Sequence, residues 1–179
     1  MDTMERRLEG KTIVVLAEDL YEDLELWYPT LRLREEGATV IVAGTGARSY
    51  RGKNGYPVDV DTAVSKLSAS DLDAVIVPGG YAPDRLRRYP EVLALVGDAY
   101  RQGKVIAAIC HAPWVLISAG IVRGKRATCF FAIKDDLVNA GALYEDAPVV
   151  VDGTLITSRQ PSDLGHFCRA IIAALAGER

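Results

Sequence analysis

The apolar positions of the chain follow two different periods. Short unbroken runs occur at 11–17 (KTIVVLA), 38–43 (ATVIVA), 74–77 (AVIV) and 105–109 (VIAAI). Runs this short, rich in β-branched residues and without alternation, predict strands buried on both faces. Between the first two runs the period lengthens. Leu24, Trp27, Tyr28 and Leu31 recur at i, i+3, i+4 and i+7, which predicts an amphipathic helix ending at Gly37. Pro29 falls inside it and predicts either a kink or the true start of the helix. Further helices are predicted over 91–101, 113–119, 133–140 and 162–176. The segment RGKNGYPV reads as a turn between short extended pieces, and 149–151 with 155–157 as a hairpin around Asp152-Gly153.

Strands that alternate with helices predict a mostly parallel sheet with helices on both faces. No linker, repeat or low-complexity stretch interrupts the pattern, so one domain is expected over 1–179. In open sheets of this kind, ligands bind in the crevice beyond the carboxyl ends of the strands. Three of the predicted strand ends carry unusual residues. The first leads into five acids, Glu18, Asp19, Glu22, Asp23 and Glu25; the third stops at Pro78-Gly79-Gly80; the fourth stops at Cys110.

A free cysteine is most often a small buried hydrophobe. Here AICHAPW places Cys110 between a strand and a helix that begins near Pro113, the setting of a nucleophile on a sharp corner. The N–H groups of that helix start favour thiolate, so Cys110 is expected to be the one cysteine with a lowered pKa. His111 is either a structural histidine or the imidazole partner of the thiol; adjacency in sequence does not settle it. His166 lies off the apolar stripe of its helix and is expected to face solvent. Gly79 and Gly80 permit close approach of backbone N–H groups to a ligand, or form an ordinary turn. Most of the five acids suit a solvated helix start, and one of them is placed to reach over the strand ends; residue pattern does not select which.

Composition narrows the function classes. The 179 residues are 49% apolar and 25% charged, with a formal net charge of −3, and the densest basic run is only Arg85, Arg87 and Arg88. No nucleic-acid partner is expected from such a surface. The chain shows no apolar run of bilayer length and its first residues no signal-peptide core, so no membrane partner and a cytoplasmic setting are expected. Cys110, Cys129 and Cys168 are far apart, there is no CxxC, and there are two histidines. Neither a disulfide framework nor a structural zinc site is expected, and no metal or other cofactor.

The order YEDLEL, YPTLRLREEG, RGKNGYPV, VPGGYAPDRLR, ICHAPWVLISAGIVRGKRAT, IKDDLVNAGA and VVVDGTLITSRQPSDL resembles the DJ-1/PfpI superfamily, in its PfpI-like branch of intracellular proteases, deglycases and stress proteins. The resemblance implies a flavodoxin-like three-layer α/β sandwich, similar to class I glutamine amidotransferases, and a homodimer or higher homo-oligomer. It implies Cys110 as nucleophile, Glu22 as the protonated acid that hydrogen-bonds the sulfur, His111 as the neighbouring histidine, and Gly80 with the His111 backbone as oxyanion-hole donors. It also implies a carboxylate from another subunit orienting His111. That carboxylate falls on Asp84, one methylene shorter than the glutamate usual there. Two further departures are CHAP in place of CHGP, and Phe130-Phe131 where a Tyr or Trp followed by Pro often stands, which makes the pocket wall more apolar.

These residues imply a cysteine-dependent enzyme acting on reactive carbonyls or glycated adducts. The competing readings are an oligomeric cysteine peptidase with a Cys110–His111–Asp84 arrangement, a redox or stress sensor through oxidation of Cys110, and a fold without activity.

Overall fold

Each apolar run of the sequence forms a strand, and all of them join one sheet. The computed structural model describes residues 6–178. In chain order the elements are β1 (Thr12–Ala17), α1 (Asp23–Glu35), β2 (Thr39–Gly44), β3 (Ser49–Arg51), β4 (Pro57–Asp59), β5 (Thr62–Ala63), β6 (Ala74–Val77), α2 (Ala82–Leu86) and α3 (Pro90–Arg101). They continue with β7 (Val105–Ile109), α4 (Pro113–Ser118), β8 (Arg126–Ala127), α5 (Lys134–Asn139), β9 (Leu143–Tyr144), β10 (Val149–Asp152), β11 (Leu155–Ser158) and α6 (Leu164–Ala176). The main sheet has the order β10-β11-β7-β6-β1-β2-β5. Only β10 runs antiparallel, as the hairpin partner of β11. The architecture is the expected flavodoxin-like one.

β6 and the inner residues of β1 and β7 are closed to solvent. Helices cover both faces: α1 and α6 pack together on one side, α3 and α4 on the other. This is why those strands read as unbroken apolar runs rather than alternating ones. The chain leaves β1 for β2 on one side, then returns to β6 on the other. The strand order therefore reverses between β1 and β6, the place where such sheets open a crevice. Parallel pairing of β1 with β6 and of β6 with β7 puts Ala17, Val77 and Ile109 at one edge of the sheet.

The helix after β1 differs from its expected form in two ways. It begins at Asp23, so Pro29 lies in its second turn rather than at its start. Thr30 Oγ1 donates to the Leu26 carbonyl at 2.6 Å in the same turn. The face turned inward is also not the apolar stripe. Glu25, Leu26, Pro29, Thr30 and Leu33 are buried, while Leu24 and Leu31 are more than half exposed. Leu26 and Leu33 supply enough apolar contact to seat the helix, and the inward face is shared with an acid that the site requires.

The far end of α1 is held by charge. Arg7 Nη2 and Arg32 Nη2 donate to Glu36 Oε1 at 2.8 Å and 2.6 Å, and Arg7 Nε donates to Oε2 at 3.1 Å. The Arg7 hydrogen bonds are the largest cause that pulls the Glu36 carboxyl down to about 2. A carboxyl with a lowered folded pKa adds stability above its ordinary value near 4.5, and that stability is lost as pH falls towards 2. Glu36→Gln should therefore lower stability at pH 7 by about 1–2 kcal/mol, roughly 2–8 °C in Tm. Thermal melts at pH 7, 4 and 2 check this. The gap between variant and wild type should close at the lowest pH; a constant gap would show that the charge of Glu36 does not matter.

Candidate active site

The corner after β7 is strained. Cys110 has φ +66°, in the left-handed region where non-glycine residues are uncommon and cost roughly 1–3 kcal/mol. It is held there by its own backbone: Cys110 N–H donates to Ser158 O at 3.0 Å, and Phe130 N–H donates to Cys110 O at 2.9 Å. Both bonds come from neighbouring segments, so the conformation is imposed by the sheet edge rather than by the local sequence. The sulfur lies 3.1 Å from His111 Nδ1. Adjacent residues thus do meet within one turn, because the left-handed corner swings the two side chains together. The His111 ring stacks on Phe130 at 5.1 Å and meets Trp114 edge-on at 5.2 Å.

The acid that the structure places at the thiol is Glu25. Glu22, expected to hydrogen-bond the sulfur, is the N-cap of α1; its Oε2 accepts the Glu25 N–H at 3.0 Å. Glu25 lies one turn further on, on the sheet-facing side. Its Oε2 accepts the Gly79 N–H at 2.8 Å, and its Oε1 is buried without a hydrogen-bond partner. Glu22, Lys53 and the Cys110 thiol are the other polar groups that act on it. The sequence does hold a signal for this. E-D-L-E ahead of an apolar run reads as a capped helix start, which commits the first acid to the cap and leaves the acid three residues on.

Gly79 and Gly80 are required by space. A Cβ on Gly79 would stand 2.4 Å from Glu25 Oε2 and 2.7 Å from Cys110 Cβ. Gly80 has φ +77°, and a Cβ there would stand 2.5 Å from both Glu22 N and Leu20 O. Backbone pairing explains the crowding: Glu22 N–H donates to Gly79 O at 3.0 Å and Tyr81 N–H to Leu20 O at 2.8 Å. The N–H groups of Gly80 and His111 lie against the Cys110 sulfur. These are the two donors named from the sequence.

Asp84 sits apart from these groups. It lies on α2, half exposed, and is paired with Arg88 of its own chain. Among the described residues no carboxylate lies within hydrogen-bond distance of the His111 ring. His166, expected to face solvent, stands on α6 beside Arg169.

Burial dominates the electrostatics. It pushes Glu25 up to about 8, helped by repulsion from Glu22. Burial, then the Glu25 carboxylate, pushes the Cys110 thiol up to about 12, against the Gly80 and His111 N–H groups. Burial also pushes Cys129 and Cys168 up to about 12. The expectation of one lowered cysteine does not hold for the thiol in this surrounding, because desolvation outweighs a helix of only six residues. His111 is lowered by burial and then by the charge of Lys53, which keeps the imidazole neutral. What sets Cys110 apart is its partners and not its pKa. The cavity over the sulfur has a volume of about 190 Å³ and is lined by Glu22, Glu25, Lys53, Tyr81, Phe130 and Pro161 together with the corner itself. Among the described residues, no group of three His, Cys, Asp or Glu side chains is arranged to hold a metal ion, and no helix is long and apolar enough to cross a membrane.

Sequence and structure comparisons give the chain its relatives. A model of the DJ-1/PfpI family matches residues 11–174. Deglycase PfpI of Pyrococcus furiosus is 39% identical over 163 residues, covering 91% of this chain and 98% of its own. YraA of Bacillus subtilis, named provisionally as a cysteine protease, is 41% identical over 161 residues, covering 89% and 95%. The crystal structure of Drosophila melanogaster DJ-1beta superposes with a TM-score of 0.86 at 34% identity, covering 93% of this chain and 91% of that one. The protein belongs to the DJ-1/PfpI family.

Proposed function

We propose that the protein is a cysteine-dependent enzyme acting on small reactive carbonyls, 2-oxoaldehydes or their adducts with amines and thiols, through Cys110. The observation that carries this reading is a buried acid with one unpartnered oxygen, Glu25 Oε1, next to a sulfur held on a strained corner. Below about pH 8 Glu25 keeps its proton. Its charge then no longer opposes the thiolate, and Oε1–H is a donor towards the sulfur. The deglycase name of a 39% identical relative supports the same chemistry.

In this scheme the Cys110 sulfur adds to the aldehyde carbon. The carbonyl π pair moves to oxygen, and the thiol proton reaches that oxygen through His111 Nδ1, leaving a hemithioacetal. The Gly80 and His111 N–H groups stabilise the developing oxyanion. Conversion to a 2-hydroxy thioester then moves one proton from the former aldehyde carbon to its neighbour and the hydroxyl proton from the first oxygen to the second, through an enediol. The ionised fraction of Glu25, populated as pH nears about 8, accepts and returns the carbon-bound proton. Water releases the 2-hydroxy acid and restores the thiol. The volume of about 190 Å³ suits a three-carbon substrate or the tip of an adduct. Peptide cleavage makes a heavier demand, since His111 must also protonate a leaving amine and has no orienting carboxylate among the described residues of its own chain.

Lactate formation from methylglyoxal, measured beside cleavage of a fluorogenic peptide, tests the reading. Wild type should turn over methylglyoxal, Cys110→Ser should lose all detectable turnover, and Glu25→Gln should lose about a hundredfold or more. Brisk peptide cleavage with no lactate would transfer the site to the peptidase reading.

A second expectation concerns the resting acid. A carboxyl whose pKa is raised on folding is neutral in the folded chain while the unfolded chain ionises, so stability falls as pH rises from about 4.5 to about 8. The slope reaches at most about 1.4 kcal/mol per pH unit. Urea midpoints at pH 5 and pH 8.5 should drop more in wild type than in Glu25→Gln. Equal drops would mean that Glu25 is not held protonated.

The proposal includes self-association. Leu24 and Leu31 are more than half exposed on α1, with Tyr28 beside them, an apolar stripe that the chain's own core leaves uncovered. A second copy seated on that face completes the homo-oligomer. Light scattering should give at least twice the chain mass for wild type and the chain mass for the double variant Leu24→Glu, Leu31→Glu. An unchanged mass in the variant would move the interface elsewhere.

A further inference from the structure

The tip of the β3–β4 hairpin lines the cavity but takes no part in the scheme above. It is not a free loop. Lys53 N–H donates to Tyr21 O at 2.8 Å. Asp23, the first residue of α1, accepts Asn54 N–H and Tyr56 N–H at 3.0 Å each. Gly52 packs so closely on that carboxylate that a Cβ would stand 2.4 Å from Asp23 Oδ1. The hairpin is thereby fastened to the same segment that carries Glu22 and Glu25, and Lys53 is the charged residue of its tip, residues 52–56.

Lys53 is the only lysine or arginine that lines the cavity, and the opposing ionisable group at the mouth is Glu22. The two are not equivalent. Glu22 is committed to the helix cap through its Oε2. Lys53 forms no ion pair with any described residue. Its charge acts on Glu25, Cys110 and His111 alike. A cation fixed at the rim of a cavity of about 190 Å³ will meet whatever group the substrate carries next to its carbonyl.

We infer that Lys53 makes this pocket selective for reactive carbonyls that carry an anionic group, a carboxylate or phosphate a few bonds from the carbonyl carbon. The inference rests on the reading of Cys110 as the nucleophile towards carbonyls. With the aldehyde carbon at the sulfur, an anionic tail pointing out of the cavity meets the Lys53 ammonium, while a neutral tail leaves that charge unused.

The test separates the charge from the chemistry. Iodoacetate and iodoacetamide alkylate a thiolate in the same way: sulfur forms the new bond to carbon, and iodide leaves with the old bonding pair. They differ in one negative charge, so the ratio of their rates at Cys110, followed by mass spectrometry, reads the local field and cancels any change in thiolate fraction. Lys53→Met should lower the iodoacetate-to-iodoacetamide ratio about five- to tenfold, as loss of one charge at partly solvated range would. Lys53→Arg should keep it, Glu22→Gln should raise it, and added salt should weaken the wild-type preference. In parallel, kcat/KM for 4,5-dioxopentanoate relative to methylglyoxal should fall by a similar factor in Lys53→Met. Ratios within twofold of wild type in both arms overturn the inference. A shifted alkylation ratio with no turnover of either 2-oxoaldehyde keeps Lys53 as an anion-selecting residue and rejects the carbonyl reading instead.

Discussion

The turn after β6 has no room for a side chain, and the site is built around that constraint. Three segments converge there: the stretch from Leu20 to Glu25, the Gly79-Gly80 turn, and the corner at Cys110. Backbone hydrogen bonds between Tyr81 and Leu20 and between Glu22 and Gly79 draw the first two together. The third is brought alongside by the pairing of β6 with β7. Because both turn residues are glycines, a carboxyl oxygen, a sulfur-bearing Cβ and two peptide groups share a volume that ordinarily holds one side chain. The crevice at the reversal of strand order supplies the location; the paired glycines supply the proximity.

Proximity without water has an electrostatic consequence. Two acidic groups stand together in a dry setting, and the low dielectric makes simultaneous ionisation expensive. Burial raises both Glu25 and Cys110, and it lowers the neighbouring His111 imidazole. In the proposed function such a site would hold its nucleophile in reserve and gain reactivity when an electrophile enters and accepts the negative charge.

Much of this was legible in the amino-acid order, and the parts that were not share a cause. β1, β2, β6 and β7 were readable because burial on both faces leaves unbroken apolar runs. Cys110 was readable because a cysteine at a strand end followed by Pro113 has few structural uses. The orientation of α1 was not, because its outward face is as apolar as its inward one, and the inward face includes Glu25, Pro29 and Thr30. The same rotation hid the acid: the apolar stripe does not show which face turns to the sheet, and only the capped-start pattern of E-D-L-E separates Glu22 from Glu25. Two-residue strands such as β5, β8 and β9 leave no periodicity to read. Lys53 was invisible for another reason, since a lysine in a polar turn reads as solvated until the turn is seen fastened to Asp23.

The left-handed backbone at Cys110 also bears on how the protein can change. At φ +66° glycine is the residue that the backbone itself would choose. Exchange of Cys110 for glycine would relieve the strain at the corner and favour the folded state while removing the sulfur. Selection for robustness alone would therefore erode this site first, and the family fold could persist as a sturdier, inert scaffold.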